Sequence, residues 1–159
     1  MKIFEAILQS PLGEILIKDN GKAILEVCFV DSQNSFSNTS PLTLEAMRQL
    51  KEYFALQRKE FDLPLLPYGT EFQKSVWKEL CAIPYGEVRT YGAIAQKIHK
   101  PKAARAVGAA NHHNPIAILI PCHRVIGANG KLVGYASGIA KKAALLELEG
   151  AILSQQCNG

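Results

Sequence analysis

Cys122, His123 and Arg124 stand in a row within Ile118-Leu119-Ile120-Pro121-Cys122-His123-Arg124-Val125 of this 159-residue chain. A thiol attacks as the thiolate, and a neighbouring base or positive charge favours that form. The three types are thus a nucleophile, a base and a cation. The apolar residues 116–120 before them, bounded by Pro115 and Pro121, read as a buried strand delivering Cys122 at its end. Neighbours in extended chain point to opposite faces, so His123 would reach the sulfur through a bridging water, and a third group should hold the imidazole. The plainer alternative is a small buried hydrophobe beside a satisfied core histidine, the more common fate of an arbitrary Cys-His pair.

Such a site needs elements to position it. Segments 3–8, 14–18 and 23–30 are apolar and separated by Ser10-Pro11-Leu12-Gly13 and Asp19-Asn20-Gly21-Lys22. The Asn-Gly pair supplies the positive φ angles of a tight hairpin, which predicts an antiparallel meander. After a polar stretch over 31–40, Ser40 can cap and Pro41 can open a helix with an apolar face at Met47, Leu50, Phe54 and Leu56, laid over the sheet. Residues 61–68, with Pro64 and Pro67, read as a packed linker. That places an N-terminal α/β domain over 1–67 and a second domain over 68–159.

In the second part Thr70 and Gln73 fit a capping box for a helix through Phe72, Val76, Trp77 and Leu80. Thr90 can cap a short helix through Ile94 and Ile98, and Pro101 is expected to begin the next one. A second Asn-Gly turn at Asn129-Gly130 and a helix over 137–149, stopped by Gly150, complete an α+β chain. In the helix after Pro101, Lys102 and Arg105 are the long polar side chains among small ones, which lets a backbone approach closely. A lone arginine on a smooth face suits a phosphate or a minor groove, and close helix-helix packing explains the small residues equally well.

Composition narrows the classes. Hydrophobic residues make up 48% and charged ones 20%, a mixture able to bury a core, and no repeat or low-complexity tract appears. The longest apolar run is far below the roughly 20 residues of a membrane span, and Glu5 interrupts any signal-peptide core, so the expected place is the cytoplasm and no membrane partner. Eighteen Lys and Arg against fourteen Asp and Glu give +4, compatible with a polyanionic partner without proving one. Cys28, Cys81, Cys122 and Cys157 are scattered and form no paired ligand spacing with the histidines, so neither a disulfide framework nor a metal site is expected. Cys28 and Cys81 read as buried packing and Cys157 as a tail thiol.

Pro121-Cys122-His123-Arg124-Val125 resembles the acceptor motif of the O6-alkylguanine-DNA alkyltransferases, also called methylated-DNA-protein-cysteine methyltransferases. Tyr91-Gly92, the block from Pro101 to Gly108, Asn114-Pro115, Gly134-Tyr135 and Leu145-Leu146-Glu147-Leu148-Glu149 look like further family blocks in the family's order. The resemblance covers residues 72–150 and implies an RNase H-like N-terminal sheet domain and a winged-helix-like C-terminal domain. It implies that Cys122 takes an alkyl group from O6 of guanine, with O4-alkylthymine a further candidate substrate, and keeps it in one turnover without a cofactor. By the same likeness His123 is the base acting through water and Glu149 orients it. Tyr91, Val125, Tyr135, Ala136 and Ser137 correspond to the pocket for the flipped base. Lys102, Ala104, Arg105 and Asn114 correspond to DNA-binding positions, with Arg105 the intercalating finger and Asn114 a hinge to the Cys122 segment. The implied partner is double-stranded DNA containing an alkylated base, engaged through the minor groove by a monomer.

Base flipping follows from the chemistry, because an O6 atom inside the stack cannot meet a thiolate in line. His112 and His113, just before Asn114, depart from the family pattern and read as a solvated helix end. Competing readings are a lesion sensor that binds without reacting, which Cys122 argues against, a helix-turn-helix regulator, and a cysteine hydrolase, which would release its thiol after each turnover.

Overall fold

The computed structural model describes residues 2–31 and 38–151; Cys157 lies outside them. The chain folds as two compact units, Met1–Tyr68 and Gly69–Gly159.

The first unit is a three-stranded antiparallel sheet in the order β1 (Phe4–Ser10), β2 (Gly13–Asp19), β3 (Ile24–Val30), with the helix α1 (Pro41–Phe54) packed on β1 and β2. The register sets Ala6 opposite Ile17 and Ile17 opposite Val27, so one pleat face carries a continuous apolar row, all three buried. The period of two makes that row possible, and α1 covers it. Gly21, at φ +87, lies in the β2–β3 turn, while Asn20 is not at positive φ as the Asn-Gly pair would have it and instead accepts at its Oδ1 from the N–H groups of Lys22 and Ala23. Ser40 caps α1 by accepting from the backbone N–H groups of Leu42 and Thr43. The face of α1 differs from the expected one: Thr43, Ala46, Gln49, Leu50 and Tyr53 are buried, while Leu56 lies past the helix end at φ +62 and is exposed. Two members of that stripe are polar and locally satisfied, Thr43 within the cap and Gln49 by paired bonds to the Asp62 backbone at 2.9 and 3.1 Å. A search for apolar residues alone therefore rotates the face.

The second unit contains α2 (Glu71–Cys81), β4 (Arg89–Thr90), α3 (Tyr91–Lys97), α4 (Ala104–His112), a single 3₁₀ turn (Cys122–Arg124), β5 (Val125–Ile126) and α5 (Ile139–Leu148). The Thr70–Gln73 capping box and the Thr90 cap both form. The helix α4 begins at Ala104, three residues later than Pro101 would have it; Pro101 and Lys102 occupy the turn after α3, and Ala103 offers no side-chain cap. Packing closes that gap in local signal: α4 contacts α2 and α3 through Val107, Ala110 and Asn111, and the buried Trp77 indole of α2 donates to the Ala110 carbonyl at 2.8 Å. The pair α3 and α4 is a helix-turn-helix.

Residues 116–120 are buried but do not form the expected strand. They make a tight turn in which Leu119 N–H donates to Ala117 and Ile120 N–H to Ile116, with Ile118 at φ +71. A β-branched residue rarely adopts that region. Asn114 holds it there: its Oδ1 accepts from Ile116 N–H at 3.0 Å and its Nδ2 donates to the Ile120 carbonyl at 2.8 Å. The polar Asn-Pro pair thus overrides the strand expected of an apolar run. β5 follows and pairs in parallel with β4, Arg89 opposite Val125.

Candidate active site

Cys122 opens the 3₁₀ turn and is 5% exposed, its N–H donating to the Ile120 carbonyl at 2.7 Å. In such a turn successive side chains fan out about 120° apart instead of alternating, so neighbours can serve one centre. His123 and Arg124 do this. His123 Nε2 lies 2.7 Å from Glu149 Oε2, Arg124 Nε donates to Glu149 Oε1 at 2.8 Å, and Arg124 Nη2 donates to Oε2 at 3.0 Å. Arg124 Nη1 also donates to the Ile83 carbonyl, fixing the guanidinium from its other side. All three side chains are buried. The chain carries a guanidinium, an imidazole and one carboxylate into a dry place, which is tolerable because the carboxylate is shared and directed hydrogen bonds join it to both partners.

Burial, the largest influence, pushes the His123 imidazole below its usual value, and Glu149 opposes this by holding its N–H. The imidazole is therefore neutral, with the proton on Nε2 facing Glu149 and the lone pair on Nδ1. Nδ1 is buried and has no hydrogen-bond partner among the described residues. Burial likewise raises the Cys122 thiol, while the Asn114 side chain and the Lys142 charge pull it back. A resting thiol beside a neutral base, rather than a standing thiolate, is the electrostatic state of this site.

Lys142 is the group that sequence reasoning missed. It sits on α5, fully buried, and burial brings its pKa down to about 8 while the Cys122 charge works the other way. Its Nζ donates to the Val133 carbonyl at 2.7 Å and lies 5.7 Å from the centre of the Tyr91 ring. Tyr91, half-buried at the start of α3, donates its hydroxyl to the same carbonyl at 2.9 Å. Gly134 follows at φ +70, and a Cβ there would stand 3.1 Å from the Tyr91 oxygen, so this loop needs glycine both for its backbone and for the tyrosine's approach. A Lys142→Met variant is expected to be more stable, since it buries no charge, and to alkylate its thiol about tenfold or more slowly, since a cation near a thiol shifts its pKa by one to three units. Thermal melts with single-turnover rates check this; a slower variant of unchanged stability would break the link.

The other expected positions divide. Val125 and Tyr135 are buried, Ser137 is half-buried, and Ala136 is exposed. The Tyr135 hydroxyl has no hydrogen-bond partner among the described residues, and burial raises its pKa strongly. Lys102 and Arg105 are exposed, Ala104 is half-buried at the start of α4, and half-buried Asn114 lies at the turn described above. Asn111, which no sequence motif singles out, is buried on α4 and donates Nδ2–H to the Cys122 carbonyl at 3.2 Å. Cys28 is half-buried, its thiol raised by burial to about 11, and Cys81 is exposed, against the expectation that both are packed inside. Among the described residues no group of three or more His, Cys, Asp or Glu side chains could hold a metal ion, and no helix is long and apolar enough to cross a membrane.

A helix-turn-helix next to a buried thiol, with a neutral histidine tied to a carboxylate, defines a nucleic-acid-binding protein built for attack by sulfur. Residues 71–151 match the 6-O-methylguanine DNA methyltransferase DNA binding domain, and residues 3–67 match that family's ribonuclease-like domain. A methylated-DNA–protein-cysteine methyltransferase of Methanosarcina acetivorans is 53% identical over 93% of this chain and 99% of its own. The crystal structure of the Mycobacterium tuberculosis O6-methylguanine methyltransferase superposes with a TM-score of 0.86 at 45% identity, covering 94% of each chain. That of Mycobacterium tuberculosis OGT in complex with DNA gives 0.84 at 46% identity, covering 96% of this chain and 98% of the other. The chain belongs to the 6-O-methylguanine DNA methyltransferase family.

Proposed function

We propose that this protein repairs DNA by moving the alkyl group of an O6-alkylguanine onto its own Cys122, once per molecule. The observation that carries the reading is the arrangement around the thiol: Cys122 buried at the opening of a 3₁₀ turn, and next to it in the chain a neutral His123 whose Nε2 is held by Glu149 at 2.7 Å. His123 Nδ1 takes the thiol proton through a water, and the imidazolium so formed faces the carboxylate that stabilises it. The thiolate attacks the alkyl carbon, an S–C bond forms, the C–O6 bond breaks, and its electron pair returns to the base, which regains a proton as guanine. Atoms and charge balance with no cofactor. A thioether is a poor leaving group, so no second half-reaction frees the sulfur, and the protein is consumed.

The roles of the surrounding residues are those that the family resemblance assigns them. Tyr91, Val125, Tyr135, Ala136 and Ser137 line the pocket for the extruded base. Lys102, Ala104, Arg105 and Asn114 serve the duplex: Lys102 meets phosphate, Arg105 enters the minor groove at the gap the base leaves, and Asn114 keeps the Cys122 turn in register with α4. The first 67 residues form the N-terminal α/β domain, and residues 68–159 form the DNA-binding and alkyl-acceptor domain. The protein acts as a monomer in the cytoplasm.

Mass spectrometry of the protein mixed with a duplex carrying one O6-methylguanine tests this. The Cys122 peptide should gain one methylene's mass at one equivalent, with guanine restored in the DNA. Repeated turnover, or DNA repaired without a mass change, would sink the self-alkylation reading.

A further inference from the structure

The exposed face of α4 has two basic ends. With 100° per residue, Val107, Ala110 and Asn111 point inward to α2 and α3, and Arg105, Ala106, Ala109, His112 and the capping residue His113 share the opposite, exposed side. Between Arg105 and His112 that side carries only small residues, over a rise of about 10 Å at 1.5 Å per residue. A groove is walled by two phosphate backbones, so a helix seated in it by its small residues brings each of its ends near a phosphate.

His113 is not free to present either nitrogen. Its Nδ1 lies 2.8 Å from the Ala109 carbonyl, an acceptor, so Nδ1 carries the hydrogen. Its other nitrogen, Nε2, is then a lone pair in the neutral ring, which repels a phosphate oxygen. Protonation turns Nε2 into a charged donor without moving the ring. The His112 ring stands edge-on to it with centroids 5.6 Å apart. The titratable groups on the elements packed against α4 are Glu71, Lys74, Lys78, Glu79 and Cys81 on α2, and Tyr91 and Lys97 on α3. Among the described residues none of their carboxylates forms an ion pair with either imidazole; Glu71 faces Lys74, and Tyr91 donates to Val133. The segment 114–121 holds no charged side chain.

We infer that His113, with His112 beside it, is a second anchoring point for the DNA backbone at the far end of α4 from Arg105, and that its phosphate contact forms only with the protonated ring. The inference rests on the DNA-binding role of α4 proposed above. It makes DNA engagement proton-linked through a residue remote from the alkyl transfer chemistry.

The test is the salt dependence of binding of the full chain to an undamaged duplex at pH 5.5 and pH 7.5, on either side of the range in which imidazoles commonly titrate. Each phosphate neutralised steepens the plot of log K against log salt by about 0.9. The wild-type slope should be steeper at pH 5.5 by about one such increment. His113→Gln should lose the increment, and His113→Lys should show it at both pH values. His99→Gln, which alters the exposed imidazole of the α3–α4 turn, should keep it. Equal wild-type slopes at the two pH values, or an increment that survives in His113→Gln, would overturn the histidine contact while leaving α4 as the DNA element. Binding with no salt dependence at either pH would overturn both.

Discussion

A Cys122→Ala protein is expected to bind a duplex containing O6-methylguanine and to leave the methyl group on the DNA indefinitely. The substitution removes one sulfur from a buried turn whose shape is set by backbone bonds and by Asn114, so the fold should lose no more than about 1 kcal/mol, in line with small deletions from a core. The groups assigned to the duplex, Lys102 and Arg105, lie on the exposed turn and face of the helix-turn-helix and do not touch the change. What disappears is, among the described residues, the thiol with a base beside it. Cys28, on β3, and Cys81, at the end of α2, have no histidine next to them in the chain and cannot replace it. Transfer measured by loss of the alkylated base should therefore be undetectable over a time in which the wild type reacts fully, while gel-shift affinity stays within about threefold. Methyl transfer to any other residue of the variant would show that the geometry around Cys122 had been misread.

Much of this arrangement is legible in the amino-acid order, and the parts that are not have physical reasons. The meander and the Ser40 and Thr70 caps are encoded within a few residues each and form as local chemistry predicts, and of the Asn20-Gly21 pair the glycine takes the expected positive φ. The 116–120 turn is different, because its apolar run says only that it is buried, and Asn114 settles the shape from outside it. The start of α4 is hidden for the same reason, its support coming from Trp77 on another helix. Lys142 had a signal. Lys142, Leu145, Leu146 and Glu149 stand at i, i+3, i+4 and i+7, so the core-facing stripe at the end of the chain carries a charge at each end. Two charged residues in register with buried leucines mark a functional stripe more firmly than either does alone.

Glu149→Gln is the change expected to separate what holds the site together from what drives it. The amide keeps the shape of the carboxylate but not its charge, so the Arg124 guanidinium is left buried against a neutral group, and breaking a buried ion pair in this way costs about 3–5 kcal/mol. For a chain of this size that corresponds to a fall in Tm of roughly 10 °C. Chemistry should suffer separately. Glu149 is what raises the His123 pKa against the pull of burial, so without it the imidazole becomes a still weaker base and its charged form loses its partner, a loss of about 100-fold to 10,000-fold in transfer rate. Adding Arg124→Met removes the stranded cation and should restore most of the lost stability while leaving the slow transfer as it was. Recovery of both in the double variant would mean that Glu149 serves only the fold. The pH dependence gives an independent check with a fixed sign. Because the His123 value is lowered in the folded state from an unfolded value of 6.5, the unfolded chain binds the extra proton, and the wild type should lose stability as pH falls below about 6.5. In a His123→Asn protein that component of the acid destabilisation should vanish. The same lowering keeps the base neutral, and so able to accept the thiol proton, under conditions mild enough to protonate an exposed histidine.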